Sequence, residues 1–114
     1  MENKTNTRLV GMLGFAMRAG KIIIGCDLVC RALSKSGGGR VELVLVSDGA
    51  SDGTKKKITN KCNFYKTDLF EIALGTEELG SLLGKSYAPA VIAVCDKGFA
   101  EQIRIALGDR QISN

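Results

Sequence analysis

The chain has 114 residues, of which 45% are hydrophobic and 25% charged, and its formal net charge is +4. This length and balance predict one globular domain over residues 1–114, with an ordered core at about 7–107. No apolar run is long enough to span a membrane and no signal-peptide core is present, so we expect a soluble, cytoplasmic protein. The charge permits a polyanionic partner without requiring one.

Missing residue types exclude several chemistries. The sequence has no histidine, which removes the Ser–His and Cys–His nucleophile pairs. It also lacks the glycine motifs that bind nucleotide phosphates, so we predict no catalytic residue and no cofactor. The four cysteines form no C-x-x-C pair and are expected to be free thiols in a reducing compartment rather than metal ligands. They are Cys26, Cys30, Cys62 and Cys95. The scarcity of aromatic residues argues against a surface that stacks many unpaired bases.

Hydrophobic spacing predicts helices and strands that alternate along the chain. They are a helix at 9–17 ending near Gly20, a strand at 21–24 ending at Gly25, a helix at 28–33 closed by Ser36 and the glycine run 37–39, a strand at 40–46, a helix from about 51 to 64 with Ser51 or Asp52 as N-cap, a strand at 67–73, a helix at 77–83, a strand at 90–95, a helix at 99–107 and a frayed tail at 109–114. This alternation predicts an α/β fold with helices on both faces of a central sheet.

Ligands of such folds meet the loops at strand ends, and the first such loop is Gly25-Cys26-Asp27. Its glycine lets another backbone approach, and the N–H groups of Cys26 and Asp27 would begin a helix and could bind phosphate. Arg31, one helical turn further, and Lys21 would then be electrostatic anchors. A tight turn with Asp27 as N-cap and a solvated Arg31 explains the same residues.

The second loop, 47–53, leads into the cluster Lys55-Lys56-Lys57. A cation near a helix N-terminus costs roughly 0.3–1 kcal/mol, so a phosphate backbone is one reason for lysines at this place. A solvated basic face is the other.

The third loop is Gly84-Lys85-Ser86-Tyr87-Ala88-Pro89, before the last strand. It combines a cation, a hydroxyl and an aromatic ring, which are groups that contact phosphate, sugar or a splayed base. A rigid loop with Tyr87 packed down onto the protein is the alternative.

Several ordered segments resemble the ribosomal-protein L7Ae/L30e family over roughly 7–107. They are LVGMLGFAMRAGK at 9–21 followed by Gly25, VLVSDGA at 44–50, LGSLLGK at 79–85 and AVIAV at 90–94, while DKGFA at 96–100 is most similar to the bacterial YlxQ-like branch. The resemblance implies a three-layer α-β-α sandwich with a mixed sheet of about four strands. It also implies a non-enzymatic protein that binds kinked RNA helices, called kink-turns, in ribosomal or other ribonucleoprotein assemblies.

In that family the first loop grips the kink with the motif Gly-x-Asn-Glu-x-x-Lys. Gly25 matches here and Arg31 keeps the positive charge, whereas Asp27 replaces the Asn, Leu28 replaces the Glu, and Ile24 stands where a Lys is common. Asp27 cannot donate a hydrogen bond to a base as an amide does, and its charge would oppose nearby phosphates. Leu28 cannot accept one, although it could sit inward as core. These replacements predict a phosphate-approach site whose base specificity is relaxed, altered or lost.

The resemblance places the other two family contacts near 48–50 and 86–88. The predicted RNA-binding residues are Lys21, Gly25, Cys26, Asp27, Arg31, Asp48, Ala50, Lys55, Lys85, Ser86, Tyr87 and Ala88. The leading hypothesis is therefore a non-enzymatic protein for structured, kink-turn-like RNA, with ribosomal RNA and ribosomal or ribonucleoprotein partners as candidates and a role near translation. The alternative is a protein-interaction module on the same fold that has lost RNA specificity.

Overall fold

The computed structural model describes residues 4–34 and 41–108, with side chains from residue 7 onward. Helices and strands alternate along these residues as the hydrophobic spacing predicts. They are α1 (Lys4–Arg18), β1 (Ile22–Ile24), α2 (Cys26–Leu33), β2 (Leu43–Ser47), α3 (Asp52–Tyr65), β3 (Asp68–Ile72), α4 (Thr76–Leu82), β4 (Val91–Val94) and α5 (Lys97–Leu107). The roles predicted for Ser36, Arg40, the glycine run 37–39 and the tail 109–114 lie outside the described residues.

The four strands form one mixed sheet in the order β1-β4-β2-β3. Strand β4 runs antiparallel to both β1 and β2, whereas β2 and β3 are parallel. The two central strands, β2 and β4, are buried along their whole length, which explains why both are near-continuous apolar runs.

Helices cover both faces of the sheet, which confirms the three-layer α-β-α sandwich. On one face Leu13 of α1 and Ile103 of α5 share a buried cluster with residues of α4. On the other face Val29 of α2 packs with Ile58 of α3. Each helix therefore buries one stripe against the sheet and leaves its outer stripe to solvent. Among the described residues, none of the helices combines the length and apolar character needed to cross a bilayer.

Local capping groups explain where the helices begin and end, but local sequence does not explain where the strands begin. Gly20, with φ of 74°, donates to the Met17 carbonyl after α1, as a left-handed C-terminal glycine does. The Ser51 hydroxyl caps α3 by accepting from the Thr54 N–H at 3.2 Å. Of the predicted strand at 40–46, the described part begins only at Leu43, because Val41 is buried like a strand residue but precedes the ladder.

Candidate nucleic-acid interface

The three loops singled out in the sequence meet at one end of the sheet. Because β1 and β2 both run antiparallel to β4, they end where β4 begins. The Gly25 N–H donates to the Val91 carbonyl at 2.9 Å, and the Ser47 N–H donates to the Ala90 carbonyl at 2.8 Å. This region, the loop end, comprises the turn at 25–27, the loop at 47–51 and the loop at 84–89.

The turn at Gly25 is open on the side away from the sheet. Its φ of 107° and ψ of 138° lie where residues with a side chain are strained, and a Cβ added there would meet no atom within 4 Å. Helix α2 starts at Cys26 without a side-chain cap. Since the first N–H groups of a helix have no carbonyl one turn earlier, those of Cys26 and Asp27 can take an anion beside the positive end of the helix dipole.

Lys57 of α3 reaches the same turn from the neighbouring helix. Its Nζ lies 3.5 Å from Asp27 Oδ1, and both side chains are exposed. The Cys26 sulfur, where it ionises at alkaline pH, and the Asp27 carboxylate raise the pKa of Lys57, whose ammonium is already charged at neutral pH. An exposed pair of this kind contributes little to stability. The pair matters more for the electrostatic potential at the turn, because Lys57 offsets the negative charge that Asp27 alone would present to a phosphate.

The outer face of α2 carries Leu28 and Arg31. Leu28 is 51% exposed, so the idea that it sits inward as core is wrong. The inward face of this helix belongs to Val29 and Leu33, which are buried. The N-cap of α2 is Gly25 and not Asp27, which lies in the first turn. Arg31 is exposed, and among the described residues no acidic side chain forms an ion pair with it.

The second loop is held in place by Lys55, which lies in the first turns of α3. Lys55 Nζ donates to the Asp48 carbonyl at 3.1 Å and to Glu71 Oε2 at 3.2 Å. These two contacts give Lys55, one of the cations near the α3 N-terminus, a structural role. Asp48 is exposed at the loop end, but its N–H is already donated to the Ile72 carbonyl. Ala50 is buried in the core between the sheet and α3, and its N–H is already donated to the Ser47 carbonyl at 3.0 Å, so neither group is open to a ligand.

The third loop exposes side chains on an anchored backbone. Ser86, Tyr87 and Ala88 are all exposed, and Tyr87 is 55% exposed, so the alternative in which it packs down is wrong. The Lys85 N–H donates to the Gly80 carbonyl at 2.8 Å. Gly80 is buried, and a Cβ there would overlap the Tyr87 carbonyl oxygen. A glycine at this place in α4 therefore sets the position of the loop.

Lys21 does not join the other predicted residues. Its carbonyl accepts from the Cys95 N–H at 2.8 Å, and its neighbour Ile22 pairs with Val94. It thus lies at the opposite end of β1 from Gly25, at a separation of roughly 13 Å along an extended strand.

The cysteines of α2 and α3, which are Cys26, Cys30 and Cys62, are free thiols, as predicted. Burial, followed by the neighbouring Cys30, raises the pKa of Cys62 to about 12. The same two causes raise the pKa of Cys26. These groups therefore stay protonated at neutral pH and pack as small apolar side chains. Within residues 4–34 and 41–108, no three Cys, Asp or Glu side chains are grouped as metal ligands.

A groove on the outer surface of α3 was missed by the sequence reasoning, which treated this helix simply as polar. Its volume is about 530 Å³, and it is lined by Lys57, Asn60, Lys61, Phe64 and Tyr65. Phe64 is 75% exposed, and its ring meets the Tyr65 ring edge-on with centroids 4.8 Å apart. No sequence signal marks this groove, because Phe64 falls where the apolar periodicity of the helix ends.

Comparison with known proteins places the chain in a family. It matches the Ribosomal protein L7Ae/L30e/S12e/Gadd45 family over residues 7–104 and belongs to that family. The chain is 40% identical over 92 residues to RNA-binding protein YlxQ of Bacillus subtilis (strain 168), covering 81% of this chain and 87% of that protein. It is 30% identical over 104 residues to RNA-binding protein YlxQ of Enterococcus faecium, covering 91% and 95%. The resemblance seen in the sequence, including the YlxQ-like branch, is confirmed.

The fold is shared with solved structures. A protein of unknown function from Bacillus halodurans C superposes with a TM-score of 0.79 at 31% identity, covering 89% of this chain and 97% of that one. The Giardia lamblia 15.5kD RNA binding protein superposes with a TM-score of 0.74, covering 96% and 90%. At 14% identity the second comparison concerns the fold alone.

Proposed function

We propose that this protein is a non-enzymatic RNA-binding protein that holds a folded RNA at the loop end. The observation that carries the proposal is the convergence of the three loops, which brings an open glycine turn, a helix N-terminus and exposed polar side chains to one end of the sheet. The proposal is supported by the two bacterial relatives, both of which are RNA-binding proteins.

Each part of the loop end has a contact suited to it. The turn at Gly25 admits a sugar–phosphate backbone, and the N–H groups of Cys26 and Asp27 bind a phosphate oxygen. Lys57 adds positive charge beside the same phosphate. Across the loop end, the exposed ring of Tyr87 contacts a sugar or a splayed base.

The preferred RNA is a kinked helix, because a bent backbone can follow the glycine turn while reaching the third loop. Base reading is relaxed, since Asp27 accepts but does not donate, and the exposed Leu28 offers only apolar contact. We place this binding in the cytoplasm, on RNA of the ribosome or of the translation machinery.

Filter binding to a kink-turn hairpin and to a plain RNA duplex, at two salt concentrations, tests the proposal. Arg31→Glu and Lys57→Glu are each expected to weaken hairpin binding by roughly tenfold at physiological salt and to reduce the salt slope by about 1. The matched control is Lys97→Glu, an exposed lysine that follows β4 at the opposite end of the sheet.

The control variant should bind as tightly as the unchanged protein. Failure of the unchanged protein to bind either RNA at low salt would sink the proposal and favour the protein-interaction alternative. An equal loss in all three variants would show that the loop end is not the site.

A further inference from the structure

We propose that the groove on α3 binds an unpaired nucleotide of a single-stranded segment flanking the folded RNA, with its base stacked on Phe64. The inference rests on the proposed function, since the flank is delivered by an RNA already held at the loop end. It adds a second contact outside the three loops, along α3, whose Lys57 also reaches the turn at 25–27.

The geometry of α3 connects the groove to the loop end. Lys57, Lys61 and Phe64 are spaced four and three residues apart, so they form one stripe along the helix. Lys57 contacts Asp27 at the turn, whereas Phe64 lies near the C-terminus of α3, roughly 10 Å further along its axis. A strand leaving the turn at 25–27 would follow this stripe.

The chemistry of the groove fits a nucleotide. Two lysines supply positive charge for phosphate, Asn60 supplies donor and acceptor groups for a base edge, and Phe64 supplies an aromatic face. The edge-on contact with Tyr65 supports the Phe64 ring from the side, and 75% exposure leaves a face open for stacking. A volume of about 530 Å³ lies within the size range of small-ligand clefts.

A comparison with Phe15 shows why Phe64 suits this role. Phe15 on α1 is also exposed, at 53%, but Arg18 lies over its ring at 5.2 Å from the centroid. One face of Phe15 is therefore already occupied. Phe64 has lysines beside an open ring instead, which is the arrangement that binds single-stranded nucleic acid without reading its sequence.

The test uses the full chain and two probes, a blunt kink-turn hairpin and the same hairpin with a single-stranded uridine flank at either end. The unchanged protein should bind one of the flanked hairpins about tenfold more tightly than the blunt one. Phe64→Ala should abolish this gain without changing affinity for the blunt hairpin. Phe15→Ala, the matched control, should keep the gain.

A second readout does not depend on affinity. The chain contains no tryptophan, so Phe64→Trp introduces a single indole whose fluorescence reports base stacking. The flanked hairpin should quench it and the blunt hairpin should not, while Phe15→Trp should respond to neither.

The outcomes separate the two proposals. If the unchanged protein binds both hairpins equally, or if Phe64→Ala keeps the gain, the groove does not hold the flank and the function proposed for the loop end stands. If Phe64→Ala weakens the blunt hairpin as much as the flanked one, the groove is part of the hairpin site and the inference is overturned. If neither hairpin binds, both proposals fail.

Discussion

The two ends of the sheet use charged residues in different ways. At the end opposite the loops, Arg104 donates to Asp68 at 2.9 Å and to the Glu42 carbonyl at 3.1 Å, and its side chain is only 26% exposed. At the loop end, Lys57 makes a longer and far more exposed contact with Asp27. The charge of Arg104 therefore holds the fold together. At the loop end Lys55 has a similar role through Asp48 and Glu71, but the exposed Lys57 and the backbone donors of the turn remain for a ligand.

The largest effect is expected from displacing the third loop. Gly80→Ala places a Cβ against the Tyr87 carbonyl and 3.1 Å from Pro89 Cδ, so we expect a loss of about 1–3 kcal/mol in unfolding free energy from overpacking. Hairpin affinity should fall as well, because the loop is displaced. Denaturant unfolding and filter binding measure the two effects. Ser81→Ala, on an exposed neighbour in α4, is the control, and equal stability of both variants would contradict the role assigned to Gly80.

The second prediction concerns base reading at the turn. Asp27→Asn restores an amide donor next to the turn, so affinity for a kink-turn hairpin should rise by about tenfold, with a smaller rise for a plain duplex. Competition binding with the two RNAs measures the difference. Asp52→Asn, an exposed carboxylate at the start of α3, controls for the change in net charge. An equal gain in affinity for both RNAs in both variants would mean that binding responds only to the net charge of the protein.

The third prediction separates stability from binding. Arg104→Ala removes hydrogen bonds that tie α5 to β3 and to the residue before β2, so unfolding free energy should fall by about 1 kcal/mol while hairpin affinity is unchanged. Lys57→Ala should show the reverse pattern, with a change below about 0.5 kcal/mol and weaker binding. Chemical denaturation and filter binding on both variants check this. Two variants with the same pattern would erase the contrast between the ends.

The smallest effect concerns alkaline pH. Because the pKa of Cys62 is raised to about 12 from an ordinary 9.0, the unfolded chain loses this proton first as pH rises. Stability should therefore be unaffected below about pH 8 and lower by roughly 0.8 kcal/mol at about pH 9.5. Denaturant unfolding across this range measures the slope, which should be shallower in Cys62→Ala. An identical slope in that variant would assign the effect to other groups.

Much of the fold could be predicted from local sequence. The apolar run at 90–95 and the alternating elements around it were sufficient for a layered α/β fold, because burial on both faces of a strand leaves a continuous apolar signature. Strand order and direction come from pairings between distant segments. The convergence of the loops was therefore visible only in the structure.

The candidate site was predicted less completely for the same reason. Gly25 could be found because a strand, a glycine and a helix follow one another along the chain. The contact between Lys57 and Asp27 joins two helices, so no local spacing reveals it. The prediction grouped Lys21 with the turn because it is only four residues from Gly25 in sequence. An extended strand separates the two residues by most of the height of the sheet.

RNA is expected to bind at the loop end and not at the opposite end. Amide chemical shifts followed during titration with a kink-turn hairpin distinguish these two sites. We predict the largest changes at Gly25, Cys26 and Tyr87, and none at Lys97 or Arg104. Changes centred on Lys97 and Arg104, with the turn at Gly25 unaffected, would contradict the account.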